Sequence, residues 1–570
     1  LTRAESAHNR AVLRFTYVYA SLLESLTSPE ALRSMAAGGM VCERLSRGYL
    51  DTAGATTWPL VAAEQEALLR LDVPFFTWPL MGGATRWHGG ELRGWPQHNQ
   101  IDQVRAQLRD SNDTDLRMHV ALIRGSIRAA TAHTGRGWRS DTEGRSHAGS
   151  AASGSSPTSE ELGRRCFRNT AAGAVPFRGS VGWMGMSVLP DGVHANVAPI
   201  GAGLYDGRMG LAVSLLLWAQ ADPNAAGQAV KLCRQALAPV LETIADVDGV
   251  QHLMVFTGCG FSGLGGMLRG LAFLGSFGVE VEEVTAAQRT LLNFLTPALV
   301  IDDSRIDAMS GAAGLVAPLA RLLADGPDCG VPRQHLLDLI AASAHVLVNR
   351  QDTDSGGWRI MAEAPPLTGL AHGASGMALA LVEAAVALAD ASLLAPALRG
   401  LAYEANLFDA AAGNWPDLRP DVNRSQDGPS ATRGFMLGWC AGAPGIALSR
   451  LRLLQLLPDH EDAPLWRSEL DSAADTTAGK PLLVRDHLCC GNLGRVVILR
   501  SLAHHLGDTR WDGDVARITD GVTAAAGAGV PRSMLGDAIP DLPEPGFFTG
   551  LPGEGAALFG DVDWVPRLLL

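Results

Sequence analysis

Three thiols in two similar settings are the part of this chain best suited to chemistry. Residues 487–495 read His-Leu-Cys-Cys-Gly-Asn-Leu-Gly-Arg, and residues 438–446 read Gly-Trp-Cys-Ala-Gly-Ala-Pro-Gly-Ile. Each is a cysteine-bearing turn that runs into an apolar segment, and Cys440, Cys489 and Cys490 all stand at most one residue ahead of a GxxG. Three thiolates converging from two turns suit zinc, which takes sulfur and nitrogen ligands and keeps a fourth position open when it is catalytic. The competing reading is three small residues buried under tight turns, since free cysteine is often buried. The matching of the two turns favours the metal.

Length and charge limit what surrounds such a site. At 570 residues the chain is too long for one ordinary core, so two domains or one large repeat architecture is expected. A net charge of −13 argues against a general binder of nucleic acid or anionic membrane and leaves a small or cationic partner. The most apolar long stretch, Met377 to Leu398, is interrupted by Glu383, Asp390 and Pro396. It reads as a buried helix pair, and no stable membrane insertion is expected. Eight cysteines without dense spacing do not make a disulfide scaffold, which points to the reducing cytoplasm. Leu1 to Leu26 carries Arg3, Glu5, Arg10 and Arg14 and has no unbroken apolar run, so it is not a signal peptide, and the expectation is a chain that starts inside a longer protein.

The first 135 residues read as a small all-helical region. Glu5 to Leu26 is expected to be one amphipathic helix, with Val12, Phe15, Tyr19 and Leu22 or Leu23 on one face and Arg10, Arg14 and Thr16 opposite. Thr27-Ser28-Pro29-Glu30 looks like a helix start, Pro59 to Leu71 a third helix and Leu116 to Ile127 a fourth. Residues 136–161 are dominated by Ser, Gly, Ala and Thr and cannot repay ordering by burial, so they are assigned as a linker, with a second domain over 162–570.

In that second domain GxxG recurs at Gly207, Gly263, Gly311, Gly373, Gly442, Gly491 and Gly550. The count itself is empty, because 65 glycines in 570 residues yield about seven such pairs by chance. Their setting is not, since successive starts lie 56, 48, 62, 69, 49 and 59 residues apart, each the length of a helical hairpin with its connections. Five of the seven run directly into Leu, Met or Ile, as a turn entering a buried helix does. The expected fold is therefore all-α, and seven such hairpins can close into a double ring, one barrel of helices inside another, with an open solenoid as the rival. In a closed ring every GxxG turn crowds around one end of the axis, and polar residues on those turns converge.

Ala371-His372-Gly373, Trp439-Cys440-Ala441-Gly442 and Cys489-Cys490-Gly491, set on seven GxxG turns, resemble the lanthionine cyclase family. The resemblance covers roughly residues 162–570 and implies an α/α toroid with a zinc site at one mouth. Residues 10–19 and 71–76 resemble the end of the dehydratase domain of class II lanthipeptide synthetases, in which dehydratase precedes cyclase. Two departures stand out. The commonest family pattern is Cys, then Cys-His, whereas this chain is similar to the three-cysteine variety, and Ala441 fills a position that is often aromatic or His in relatives.

The resemblance implies Zn2+ on Cys440, Cys489 and Cys490, and a reaction in which a peptide cysteine thiol adds to the β-carbon of dehydroalanine or dehydrobutyrine. The thiol loses its proton on coordination, and the enolate left behind needs one at its α-carbon. His372, on a turn that should face the metal, is the candidate for proton transfer. Asp307, four residues before Gly311, resembles the family's active-site carboxylate and would orient His372 or a substrate group; otherwise it is a helix cap. Arg10 and Thr16 match by spacing the dehydratase pair that assists phosphate elimination, with Arg holding the phosphate. The implied partner is a ribosomally made precursor peptide with Cys and dehydrated Ser or Thr, with export and protease machinery downstream. Two other functions compete: a stand-alone cyclase-like protein that adds glutathione to dehydrated residues, and a zinc-stabilised scaffold that binds peptides without chemistry.

Overall fold

The computed structural model describes residues 8–131 and 156–570 apart from short stretches, the longest being 47–57, 420–433 and 535–543. The chain divides into two units, Leu1–Val120 and Ala121–Leu570.

The first unit is not all helical. Strands β1 (His8–Ala11), β2 (Phe76–Pro79), β3 (Ala84–Trp87) and β4 (Gly90–Arg93) form an antiparallel sheet in that order, with Ala11 opposite Phe76. Helices α1 (Thr16–Leu26), α2 (Met35–Cys42), α3 (Trp58–Leu69) and α4 (Gln100–Asp110) accompany it, and α5 (Asp113–Thr131) spans the boundary between units. The helix expected from Glu5 thus begins only at Thr16. From there Tyr19, Leu22 and Leu26 recur at helical spacing and bury against Cys42, Val61 and Leu68. Upstream, Ala11 and Leu13 pack instead with Phe76 and Trp78. Arg14 is no solvated side chain, because it pairs at 3.0 Å with the fully buried Glu64. Thr27 to Glu30 leads only into one short turn, and the following helix is capped by Ser34, whose Oγ accepts the Ala37 N–H at 3.1 Å.

Most of the assigned linker, residues 136–155, lies outside the described residues, and its expected end falls inside a helix. That helix, α6 (Ser159–Ala172), opens on a reciprocal cap between Thr158 and Glu161. Two hairpins follow, β5 (Val175–Phe177) with β6 (Ser180–Gly182) and β7 (Met184–Val188) with β8 (Ala195–Pro199). The repeats then begin with α7 (Arg208–Ala221), α8 (Ala226–Ala245), α9 (Val247–Thr257), α10 (Leu264–Ser276), α11 (Val281–Phe294) and α12 (Pro297–Asp302). They continue with α13 (Ala313–Asp325), α14 (Arg333–Arg350), α15 (Ala374–Leu388), α16 (Leu394–Ala405) and α17 (Ala443–Leu456). The chain finishes through α18 (Ala463–Gly479), α19 (Asn492–Leu506), α20 (Asp512–Ala526), α21 (Leu551–Leu558) and α22 (Val565–Leu569).

The inner helices touch in the order α7, α10, α13, α15, α17, α19, α21 and back to α7, which is a closed ring. They are apolar nearly all round, as a helix packed on every side must be; in α15 every residue from Ala374 to Ala385 is buried. Six outer helices, α8, α11, α14, α16, α18 and α20, each pack on the inner helix that precedes them. The seventh does not follow its partner: α6, from the start of the unit, packs on α21 near its end. A Cβ on Gly163 would lie 3.2 Å from Phe559, and one on Gly555 would lie 2.9 Å from the Phe167 ring. The toroid therefore has six hairpins continuous in sequence and one assembled from distant segments. Among the described residues no helix is long and apolar enough to cross a membrane.

The GxxG pattern has a steric cause. Gly207, Gly263, Gly373, Gly442, Gly491 and Gly550 are the N-caps of inner helices, and Gly311 directly precedes the cap Ala312. The second glycine of each pair sits against the carbonyl of its own entering turn. A Cβ there would stand 1.8–2.1 Å from the oxygen of Leu204, Phe261, Ala308, Leu370, Trp439, Leu488 or Phe547.

Candidate metal and proton-transfer site

The seven entering turns are laced edge to edge by backbone hydrogen bonds. Phe548 N–H donates to Tyr205 (2.8 Å), Cys489 to Phe548 (3.0 Å), Trp439 to Cys489 (2.6 Å), Ala371 to Cys440 (3.0 Å), Met309 to Ala371 (2.9 Å) and Phe261 to Ala308 (3.0 Å). Turns far apart in sequence are thereby neighbours at one mouth, and the turns of Asp307, His372, Cys440 and Cys489 are successive around it.

The two cysteine turns approach closely because Gly438 has no side chain; a Cβ there would lie 2.7 Å from that of Cys490. Asn414 fixes the first of them, its Oδ1 accepting the Ala443 N–H (2.9 Å) and its Nδ2 donating to the Met436 carbonyl (2.8 Å). Asn492 fixes the second, donating to Asp486 at 2.7 Å and to the Leu483 carbonyl at 2.9 Å. The His372 turn is held from behind by Glu404, which accepts the Gly369 N–H at 2.7 Å and is itself paired at 2.9 Å with the fully buried Arg450.

Here Cys440, Cys489 and Cys490 meet, their sulfurs all within 4.8 Å of one another. Tetrahedral zinc with sulfur ligands at about 2.3 Å sets sulfurs about 3.8 Å apart, so the donor set and its spacing fit that ion. Cys440 is pulled well below the ordinary thiol range by hydrogen bonds from Cys489 and Cys490, with help from Arg419 and His372. Cys489 and Cys490 are correspondingly pushed up. The other cysteines, Cys42, Cys166, Cys233, Cys259 and Cys329, are buried elsewhere, and burial raises Cys166 well above its usual value.

His372 Nδ1 lies 2.7 Å from Asp307 Oδ2. Burial pulls the imidazole down, but the hydrogen bond and charge of Asp307 outweigh it, so its pKa is raised. Its other oxygen accepts the Ser310 N–H at 2.7 Å and the Ser310 hydroxyl at 2.8 Å, inside the entering turn, while the helix N-cap is Ala312. One carboxylate thus bonds both its own turn and the imidazole of the next.

Three further residues belong to the site. Arg419, doubly bonded to Asp417 (Nε–Oδ1 3.0 Å, Nη2–Oδ2 2.5 Å), brings positive charge to Cys440 and Cys490. Tyr205 hydrogen-bonds Cys489 through its phenol. His487, fully buried and lowered to about 4 chiefly by that burial, places Nε2 3.9 Å from Cys490 Sγ. Alignment of the repeats on their second glycine reveals Tyr205, which stands five residues before Gly210 as Cys440 and Cys489 stand before Gly445 and Gly494. No sequence pattern marks Arg419. Arg10 lies on β1, exposed, with its guanidinium 4.1 Å over the Phe75 ring, and Thr16 begins α1.

The lanthionine synthetase C-like protein family matches residues 198–560, and a domain of unknown function, DUF4135, matches residues 1–78. A solved structure titled nisin cyclase is similar at 16% identity and a TM-score of 0.44, over 65% of this chain and 92% of that one. None of the curated proteins matches this chain.

Proposed function

Because the chain belongs to the lanthionine synthetase C-like family, we propose that it closes thioether rings, adding peptide cysteine thiols to dehydroalanine or dehydrobutyrine to give lanthionine or methyllanthionine. The observation that carries this reading is the pairing of three converging sulfurs with an imidazole–carboxylate couple on the next two turns around one mouth. Zinc held by Cys440, Cys489 and Cys490 would supply a position where a substrate thiol gives up its proton and stays nucleophilic at neutral pH.

The protein's own groups do the rest. Asp307 accepts the Nδ1 proton of His372, which leaves Nε2 to take a proton from the thiol and return one to the α-carbon of the enolate. The raised pKa of His372 keeps a donor form available near neutrality. Arg419 adds positive charge where the attacking thiolate and the enolate both carry negative charge.

The match at residues 1–78 favours the class II synthetase arrangement over a stand-alone protein that adds glutathione. In that arrangement Arg10 and Thr16 belong to the elimination site of a dehydratase. The substrate is then a precursor peptide dehydrated before cyclisation in the cytoplasm and passed on to export and protease machinery. Incubation of the chain with a chemically dehydrated cysteine peptide, with and without glutathione, tests the reading. Thiol loss without mass change, faster than the unaided reaction, is expected. A rate equal to the unaided one would leave a peptide-binding scaffold, and a product carrying added glutathione would favour the stand-alone reading.

A further inference from the structure

Three arginines, Arg269, Arg321 and Arg452, and one glutamate, Glu383, act on one another inside the ring. Arg321, Glu383 and Arg452 stand seven residues beyond the second glycines Gly314, Gly376 and Gly445, at equivalent levels of three successive inner helices. Glu383, buried, is taken by Arg452, with Nε–Oε1 at 2.7 Å and Nη2–Oε2 at 3.3 Å. Arg321 donates to the carbonyl of Pro566, a neutral acceptor. One turn nearer the mouth Arg269 is only 6% exposed, and among the described residues neither its Nε nor its Nη1 has a hydrogen-bond partner. Its guanidinium lies 5.5 Å from the centre of the Phe261 ring.

Arg269 borders a cavity of about 50 Å³ whose other walls include Phe261, Glu383, Trp439, Leu569 and Leu570. Burial and the neighbouring Arg321 lower Arg269 to about 9, and burial lowers Arg321 to about 10, so both remain cationic at neutral pH. A buried charge is tolerated only when it is paired, and water in the cavity would satisfy N–H groups without cancelling charge. That space holds a few particles the size of water, at roughly 10–15 Å³ each, and a strongly hydrated anion such as phosphate gains little from its apolar walls. Mostly apolar walls favour an anion that sheds its water easily.

We propose that this cavity binds one small monovalent anion of the halide class, held by Arg269 and attracted by Arg321, as a structural ligand at the centre of the toroid. It is distinct from the cysteine site, and its test does not depend on cyclase activity. The thermal unfolding midpoint of the full chain is measured while sodium bromide replaces sodium gluconate at constant ionic strength, since gluconate is too large to enter. A saturable rise of several degrees is expected, and Arg269→Met should abolish it. An identical midpoint in the two salts, or an undiminished bromide response in Arg269→Met, overturns the proposal. If the variant does not fold, crystals of the unchanged protein grown in bromide decide: an anomalous peak beside Arg269 supports the site, and a cavity without one overturns it.

Discussion

Asp307 and His372 stand 65 residues apart in sequence, yet Oδ2 of one and Nδ1 of the other are 2.7 Å apart. The link is built by the ring, since Met309 donates its N–H to the Ala371 carbonyl between two neighbouring turns.

From this pair follows the first prediction. His372→Asn should keep zinc bound and slow thioether closure by about 10²- to 10⁴-fold, the usual contribution of a positioned proton carrier. Asp307→Asn should do less and act differently. The carboxylate raises the imidazole pKa, so its loss should move the limb of the pH–rate profile assigned to His372 to lower pH. Rates across pH with metal content checked on each sample decide it, and an unshifted limb would remove Asp307 from that role.

Metal content gives the second. Single Ala replacements of Cys440, Cys489 and Cys490 should each lower bound zinc well below one per chain, because their sulfurs form one cluster. Replacement of Cys233 or Cys329, each buried away from the cluster, should leave it unchanged. Elemental analysis after dialysis reads both sets. Full zinc in all three of the first set is incompatible with the assigned ligands.

The repeat itself was legible in sequence because its glycines answer a steric demand. Gly376 faces the Leu370 carbonyl so closely that any side chain collides, and six other positions repeat this contact, so spacing reported architecture. The cysteines were legible because they ride on those same turns. Other features have no such signature. β1 looks helical because Arg10 and Ala11 fit a helical face as easily as a strand, and only Phe76, far downstream, decides. Arg419 reaches the thiols from a loop with no repeated register, and the partnership of α6 with α21 joins segments that no local periodicity connects.

A third prediction tests that steric reading. Gly376→Ala should destabilise the cyclase unit by about 1–3 kcal/mol or more, since its Cβ would fall 1.9 Å from the Leu370 carbonyl oxygen. Gly513→Ala, in α20 with nothing within 4 Å of its Cβ, should instead stabilise by about 0.5–1 kcal/mol. Urea denaturation of both variants gives the comparison, and equal effects would mean that space is not what selects glycine.

Buried Glu544 supplies the fourth. Burial raises its carboxyl to about 8 from the ordinary 4.5. The folded state therefore holds its proton more tightly than the unfolded chain, so this contribution to stability is complete below about 4.5 and is lost as pH rises to about 8. Glu544→Gln should flatten that part of the stability–pH curve and make the protein the more stable form at pH 8. A curve of unchanged slope across the window would show that Glu544 ionises normally.

The pairing of α6 with α21 sets a clock on biosynthesis. Gly163 and Gly555, which meet in the finished ring, are separated by 392 residues. At ~5–20 residues per second, roughly 20–80 s pass between the emergence of the first and the second from a ribosome. Each of the six continuous hairpins can fold as soon as it appears, but Leu162, Cys166 and Phe167 must wait with their apolar face uncovered. During that interval the nascent chain is an open arc with two unfinished ends, a form that invites chaperone binding or exchange of α6 between neighbouring copies. Closure turns that arc into a ring in which the turns bearing Cys489 and Tyr205 meet through that of Phe548.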